Sequence, residues 1–169
     1  MIKNSQKQRI IRKHSIIINA LKKNLFPLLC PARESEWLPN FLAEIIYSDS
    51  GLSEQDNIFL THPEGANETV WVIPIYDNDT FIEMIYFQPK IKVVIIKLSL
   101  TELPDDKTSL EVEYIYTSLS EVGKNELEQI TEHSFENQIN NWEVALNYLF
   151  KNGSRIPMEL LLNHQHHMS

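Results

Sequence analysis

A handful of side chains in this sequence have the types and spacings that chemistry requires. Arg33 and Trp37 stand four residues apart. On a helix they share a face, where they would form a cation–π clamp for a ligand carboxylate or ring, or a plain surface pair closing the domain. Between them Glu34 would act as an acid or base if withdrawn from water, and as a solvated or arginine-paired carboxylate otherwise. Trp71, Tyr86, Tyr114, Tyr116 and Trp142 combine large apolar area with one polar atom each, which suits either the wall of a ligand cavity or ordinary core. His133 would be a general base if it met Tyr114 or Tyr116; beside Glu132 it reads equally as a helix-surface residue. Cys30 has no activating base near it in sequence and reads as a buried structural thiol. His164, His166 and His167 are metal-ligand types in a short polar tail, read as a fortuitous nickel-binding cluster, and no metal or other cofactor is expected.

The composition sets the frame for these groups. A chain of 169 residues with 43% hydrophobic and 22% charged residues is long enough and apolar enough to bury one core without metal or disulfide. With Cys30 alone no internal disulfide can form, and a reducing compartment, the cytoplasm, is the expected setting. The first 23 residues carry Lys3, Lys7, Arg9, Arg12, Lys13, Lys22 and Lys23 and no acid, so the rest holds eight cations against 23 acids. An acidic body of that kind repels a phosphate backbone, and no nucleic-acid partner is expected. Ile16 to Ile18 is too short for a signal-peptide core, and no window reaches the roughly 18 apolar residues of a membrane span. No G-x-G-x-x-G, P-loop, H-E-x-x-H or G-x-S-x-G occurs, so nucleotide, zinc-protease and hydrolase functions have no motif behind them.

The periodicity predicts which elements position the candidates. His14 to Leu21, Ala43 to Tyr47, Asn57 to Thr61, Thr69 to Tyr76, Phe81 to Phe87, Lys92 to Leu100 and Ser109 to Thr117 read as strands, separated by turns such as Ser48-Asp49-Ser50-Gly51, Asp77-Asn78-Asp79 and Pro104-Asp105-Asp106. In two of them the alternation is clean. Val94, Ile96, Leu98 and Leu100 share one face, as do Leu110, Val112, Tyr114 and Tyr116 opposite Glu111 and Glu113. Pro74 cannot donate a ladder hydrogen bond, which predicts an edge or a bulge at that point. Ser118 or Ser120 then caps a helix whose stripe of Leu127, Ile130, Phe135, Ile139, Trp142, Leu146 and Leu149 runs unbroken for about eight turns to Asn152-Gly153. The order is a strand, a short helical region, six strands and one long helix. It predicts an α+β fold, a curved antiparallel sheet of six to seven strands wrapped around its C-terminal helix, with a flexible basic segment at 1–12, the domain at 13–153 and a tail at 154–169.

Several segments carry a likeness. Phe26-Pro27-Leu28-Leu29-Cys30-Pro31-Ala32-Arg33-Glu34 followed by Glu36-Trp37, then Tyr47-Ser48-Asp49-Ser50-Gly51, the Phe59 strand, Trp71-Val72, and Tyr116-Thr117-Ser118-Leu119-Ser120-Glu121-Val122-Gly123 together resemble a bacterial subgroup of the START/SRPBCC superfamily. This superfamily contains the birch-pollen-allergen-like and polyketide cyclase/dehydrase-like domains. The likeness spans about Ile16 to Lys151. It implies a helix-grip fold and a lipid-, sterol- or polyketide-like ligand between sheet and helix. It supplies no catalytic residue to carry over. Leu38-Pro39-Asn40-Phe41 stands where the family often has a charged or polar residue, so the resemblance implies a different pocket mouth.

Three functions follow as expectations. A carrier of a small hydrophobic molecule predicts a cavity walled by apolar and aromatic groups. A cyclase- or dehydratase-like enzyme in the same cavity predicts two facing titratable groups, such as His133 with Glu113 or a tyrosine. A protein-interaction module predicts a filled interior and an exposed apolar patch, for example at Leu160-Leu161-Leu162. The absence of an acid–base pair at an interpretable spacing favours the carrier, without stable membrane insertion. The site expected for it comprises Trp71, Tyr86, Tyr114, Tyr116, His133, Trp142, Arg33 and Trp37.

Overall fold

A computed structural model of the chain describes residues 8–61 and 68–166. Its strands are β1 (Arg9–Ile18), β2 (Ala43–Tyr47), β3 (Ile58–Thr61), β4 (Thr69–Asp77), β5 (Phe81–Gln88), β6 (Lys92–Leu103) and β7 (Lys107–Ser118). They form one antiparallel sheet in the order β1-β7-β6-β5-β4-β3-β2, so β2 to β7 meander and β1 closes onto β7. The hairpin turns follow from residues that tolerate left-handed backbone: Asp79, Lys90, Asp105 and Asp106 have φ of 62°, 64°, 61° and 55°. The register of β6 and β7 puts Val94, Ile96 and Leu98 with Tyr116, Tyr114 and Val112 on the buried face. On the opposite face Lys97 meets Glu113 at 3.4 Å. Pro74 lies in an interior strand, and the β4–β5 register shifts between Val72 and Ile75, so the bulge alternative holds and the sheet bends there.

Between β1 and β2 the chain forms α1 (Lys22–Leu25) and two 3₁₀ turns, Phe26–Leu29 and Glu34–Glu36. Leu25, Phe26, Leu28, Leu29 and Trp37 are buried there, and the Thr108 hydroxyl donates to the Ala20 carbonyl at 2.7 Å, tying this segment to β7. After β7 come α2 (Glu121–Glu128), α3 (Glu132–Asn152) and α4 (Met158–His166).

The single long helix predicted from Ser118 or Ser120 is therefore two helices. Ser120 caps α2 by accepting from the Gly123 N–H, while Ser118 ends β7 and accepts from the Gln8 N–H. The break falls at Gln129–Thr131, where the Thr131 hydroxyl accepts from the Ser134 N–H and restarts the chain as α3. The freed Ile130 carbonyl accepts two hydrogen bonds from the Arg12 guanidinium, at 3.0 and 2.7 Å. That pairing also draws β1 out to Arg9, five residues ahead of the expected start at His14 and into the segment read as the N-terminal tail. Lys3 and Lys7 lie outside the described residues. The segment read as a C-terminal tail contains α4, with Ile156 and Leu161 buried.

The helix α3 grips the sheet at its open edge. Phe135, Ile139, Trp142 and Leu146 face inward. A parallel row of polar residues meets β1: Glu143 accepts from the Ile17 N–H at 2.9 Å, and Asn147 accepts from the Asn19 N–H at 2.8 Å while donating to the Ile17 carbonyl at 3.0 Å. Asn147 thus stands in for the missing neighbouring strand, which removes a template for edge pairing. The C-terminus of α3 is the left-handed Gly153, φ 68°, as Asn152-Gly153 predicts.

Candidate functional site

Sheet and α3 do not fill the space between them. A cavity of about 340 Å³ is lined by Trp71 on β4, Met84, Tyr86 and Gln88 on β5, Ile96 on β6, Tyr114 on β7 and Gln138 and Trp142 on α3. Glu34, Leu38, Asn40, Phe41, Leu42, Thr61 and Thr69 complete the lining. Three groups of packed rings build the aromatic part of the lining. Trp71 stacks on Phe59 at 5.3 Å and tilts against Tyr86 at 4.6 Å, with its indole N–H given to the Thr61 hydroxyl. Tyr114 packs edge-on to Phe135 at 5.3 Å, and Trp142 edge-on to Trp37 at 5.6 Å. Burial pushes the Tyr86 and Tyr114 phenols well above their ordinary value, so both are neutral proton donors at any physiological pH.

The unusual member is Glu34. It is 8% exposed, and its carboxylate meets no hydrogen-bond donor or cation among the described residues. Desolvation pushes it up to about 8, and its charge in turn raises Tyr114. The local backbone explains why. The 3₁₀ turn presents Arg33 and Glu36 to each other, with guanidinium-to-carboxylate contacts of 2.6 and 2.8 Å, and so turns the available cation away from Glu34. Trp37, fully buried, locks the turn by donating its indole N–H to the Leu28 carbonyl at 2.7 Å. A second acceptor, Oε1 of Gln88, is also buried without a partner.

The expected site residues separate accordingly. Trp71, Tyr86, Tyr114 and Trp142 come together on the cavity wall. Tyr116 is buried beside Tyr114 at 5.7 Å, off that wall. Trp37 supports Trp142 from behind. Arg33 and Trp37 form no clamp, because the segment is a 3₁₀ turn and Arg33 pairs outward with Glu36. His133 is exposed and hydrogen-bonds Asn137 at 3.1 Å, while Glu113 pairs with Lys97 on the outer face, so the pair of His133 with Glu113 does not form. Cys30 is a free buried thiol. No three His, Cys, Asp or Glu side chains converge on a metal position among the described residues, and the side chains of His164, His166 and His167 lie outside them. Among the described residues no helix is long and apolar enough to cross a membrane. Glu34 and Gln88 are the cavity residues that sequence reasoning underweighted. The one available signal for Glu34 was that Arg33 has two acids within reach and can satisfy only one.

The curved sheet around α3 is a helix-grip fold. No protein-family model and no curated protein matches the sequence; the likeness is to solved structures. Truncated norcoclaurine synthase from Thalictrum flavum is 14% identical, with 89% of this chain and 99% of that one covered at a TM-score of 0.66. CalU16 from Micromonospora echinospora is 13% identical, with 97% and 94% covered at 0.55. A protein of Helicobacter pylori is 14% identical, with 81% and 85% covered at 0.62. These solved structures share the helix-grip fold that the sequence motifs imply.

Proposed function

We propose that this chain binds and carries a small hydrophobic molecule in the cavity between the sheet and α3. The observation that carries this reading is the cavity itself, about 340 Å³ with five aromatic side chains in its lining. Ligand sites are typically concave and lined by apolar and aromatic groups with a few polar atoms, which is the character of this lining. Norcoclaurine synthase, similar in fold, was crystallised with dopamine and hydroxybenzaldehyde, which supports a small aromatic-bodied occupant over a long acyl chain. Cys30, the single cysteine and unpaired, supports a reducing compartment, the cytoplasm, as the setting for this carrier. Native mass spectrometry of the purified protein, followed by denaturing extraction, tests it. A co-purified apolar molecule that Trp71→Ala releases is the expected result; a clean apo mass and no thermal shift across a hydrophobic-ligand panel would sink it in favour of an interaction module.

One arrangement favours a second reading, a cyclase- or dehydratase-like enzyme. Glu34, Tyr86 and Tyr114 are three proton-bearing groups that line one cavity, and Glu34 with its value near 8 exchanges a proton near neutral pH. Recovery of the extracted molecule unchanged after prolonged incubation with the protein separates the carrier from the enzyme.

A further inference from the structure

The wall chemistry narrows the occupant. Resting on the cavity reading above, we propose that the site selects a protonated amine on an apolar body, held by Glu34 and Gln88 and by the surrounding aromatic rings. Four observations converge. Among the described residues the lining contains one carboxylate and no Lys, Arg or His. Cations on adjacent elements are spent elsewhere: Arg33 on Glu36, Arg12 on the Ile130 carbonyl and Lys92 on Glu126 at 2.8 Å. Two lining residues carry acceptor oxygens that no protein donor meets among the described residues, the Glu34 carboxyl and the buried Gln88 Oε1, and an occupant that brings donors would satisfy both. Trp71, Tyr86, Tyr114 and Trp142 add π-faces that attract a cation and repel an anion. A fatty acid or other carboxylate would find phenol and amide donors there but no cation to balance its charge.

Proton balance gives the proposal a signature. The titratable groups that share the lining with Glu34 are Tyr114, which feels its charge, and Tyr86, both from the sheet; Gln138 and Trp142 from α3 are uncharged, and Arg33 and Glu36 of its own segment neutralise each other. In the empty cavity burial keeps the Glu34 carboxyl protonated up to about pH 8. An arriving ammonium favours the carboxylate, so Glu34 gives its proton to the buffer as the ion pair forms. At pH 7 that is the larger part of one proton released per amine bound.

Isothermal titration at pH 7 with 4-phenylbutylamine, 4-phenylbutan-1-ol and 4-phenylbutanoate varies the head group on one apolar body, and repetition in phosphate and Tris counts protons. The expected result is an amine at least tenfold tighter than the alcohol, the carboxylate weakest, and release of half a proton or more for the amine alone. In Glu34→Gln the amine and alcohol should bind within threefold of each other with no proton release. The wild-type proton count decides the matter even if that variant folds poorly. Equal affinity for the three head groups, or an amine preference that survives Glu34→Gln, overturns the proposal and leaves the cavity reading standing. Binding by none of the three overturns both.

Discussion

Removing the ionisable proton of Glu34 should make the protein more stable, and by an amount that grows with pH. The group's folded value is about 8 against 4.5 in the unfolded chain, because burial penalises the carboxylate. Between those values the folded state holds a proton that the unfolded state has lost, so stability falls as pH rises through this window. Above pH 8 the loss is complete, and below 4.5 it is absent. Each pH unit in the window is worth about 1.4 kcal/mol, giving on the order of 3 kcal/mol lost by pH 7 and about 5 by pH 9. Glu34→Gln keeps the size and hydrogen-bonding capacity of the protonated acid while abolishing the titration. Urea denaturation of both proteins at pH 5, 7 and 9 and fixed ionic strength, followed by tryptophan fluorescence, isolates the effect. Any fixed cost of the amide cancels in the pH slope, as do the other acids, including Glu54, which Ser48 and Ser50 hold near 2. The expected outcome is a stability difference between variant and wild type that rises by several kcal/mol in the variant's favour from pH 5 to 9. A difference that stays flat over that range would show that Glu34 is ionised and solvated, and would refute the reasoning.

Three further outcomes follow from local geometry. A Cβ at Gly123 would lie 1.9 Å from the Ile91 carbonyl oxygen, so Gly123→Ala must push α2 off the β5–β6 turn and should cost about 2–4 kcal/mol in thermal or urea unfolding. Arg12→Ala leaves the Ile130 carbonyl without its two hydrogen bonds and should cost about 1–3 kcal/mol, with faster amide exchange confined to the α2–α3 junction and the start of β1. Trp37→Phe removes the indole donor from the buried Leu28 carbonyl; about 1–3 kcal/mol should be lost, visible as a lower urea midpoint.

Much of this fold is local in origin and so legible in sequence. The alternation of β6 and β7 fixes which face is buried, since a slip of one residue would turn Val94, Ile96 and Tyr114 outward and Lys97 and Glu113 inward. Pro74 announces its bulge because a missing N–H is a covalent fact. The break at Gln129–Thr131 was hidden because Leu127, Ile130 and Phe135 keep a helical rhythm across it; what stabilises the break is Arg12, some 118 residues away. The candidate site divides along the same line. Apolar rings on inward strand faces were identifiable from parity. The condition of Glu34 was not, since burial is a tertiary property and depends on whether Arg33 chooses residue 34 or residue 36.

That choice is what makes the cavity informative about function. A buried, unpartnered acid and a space of about 340 Å³ both lower the stability of the empty protein, and a chain folded for stability alone would fill the one and replace the other. The surroundings instead hold the defect in place. Arg33 with Glu36 on one side and Trp37 with the Leu28 carbonyl on the other fix the 3₁₀ turn, and Thr108 with the Ala20 carbonyl ties its segment to β7. The far edge of the sheet is secured independently by the Asn147 and Glu143 contacts to β1. Rigidity is thus supplied around the cavity and withheld inside it, so an occupant that satisfies Glu34 meets a preformed site. Its binding should return stability to the fold in proportion to the logarithm of its concentration over its dissociation constant. The same acid that weakens the empty protein above pH 5 would then be the group that most strongly couples ligand binding to folding.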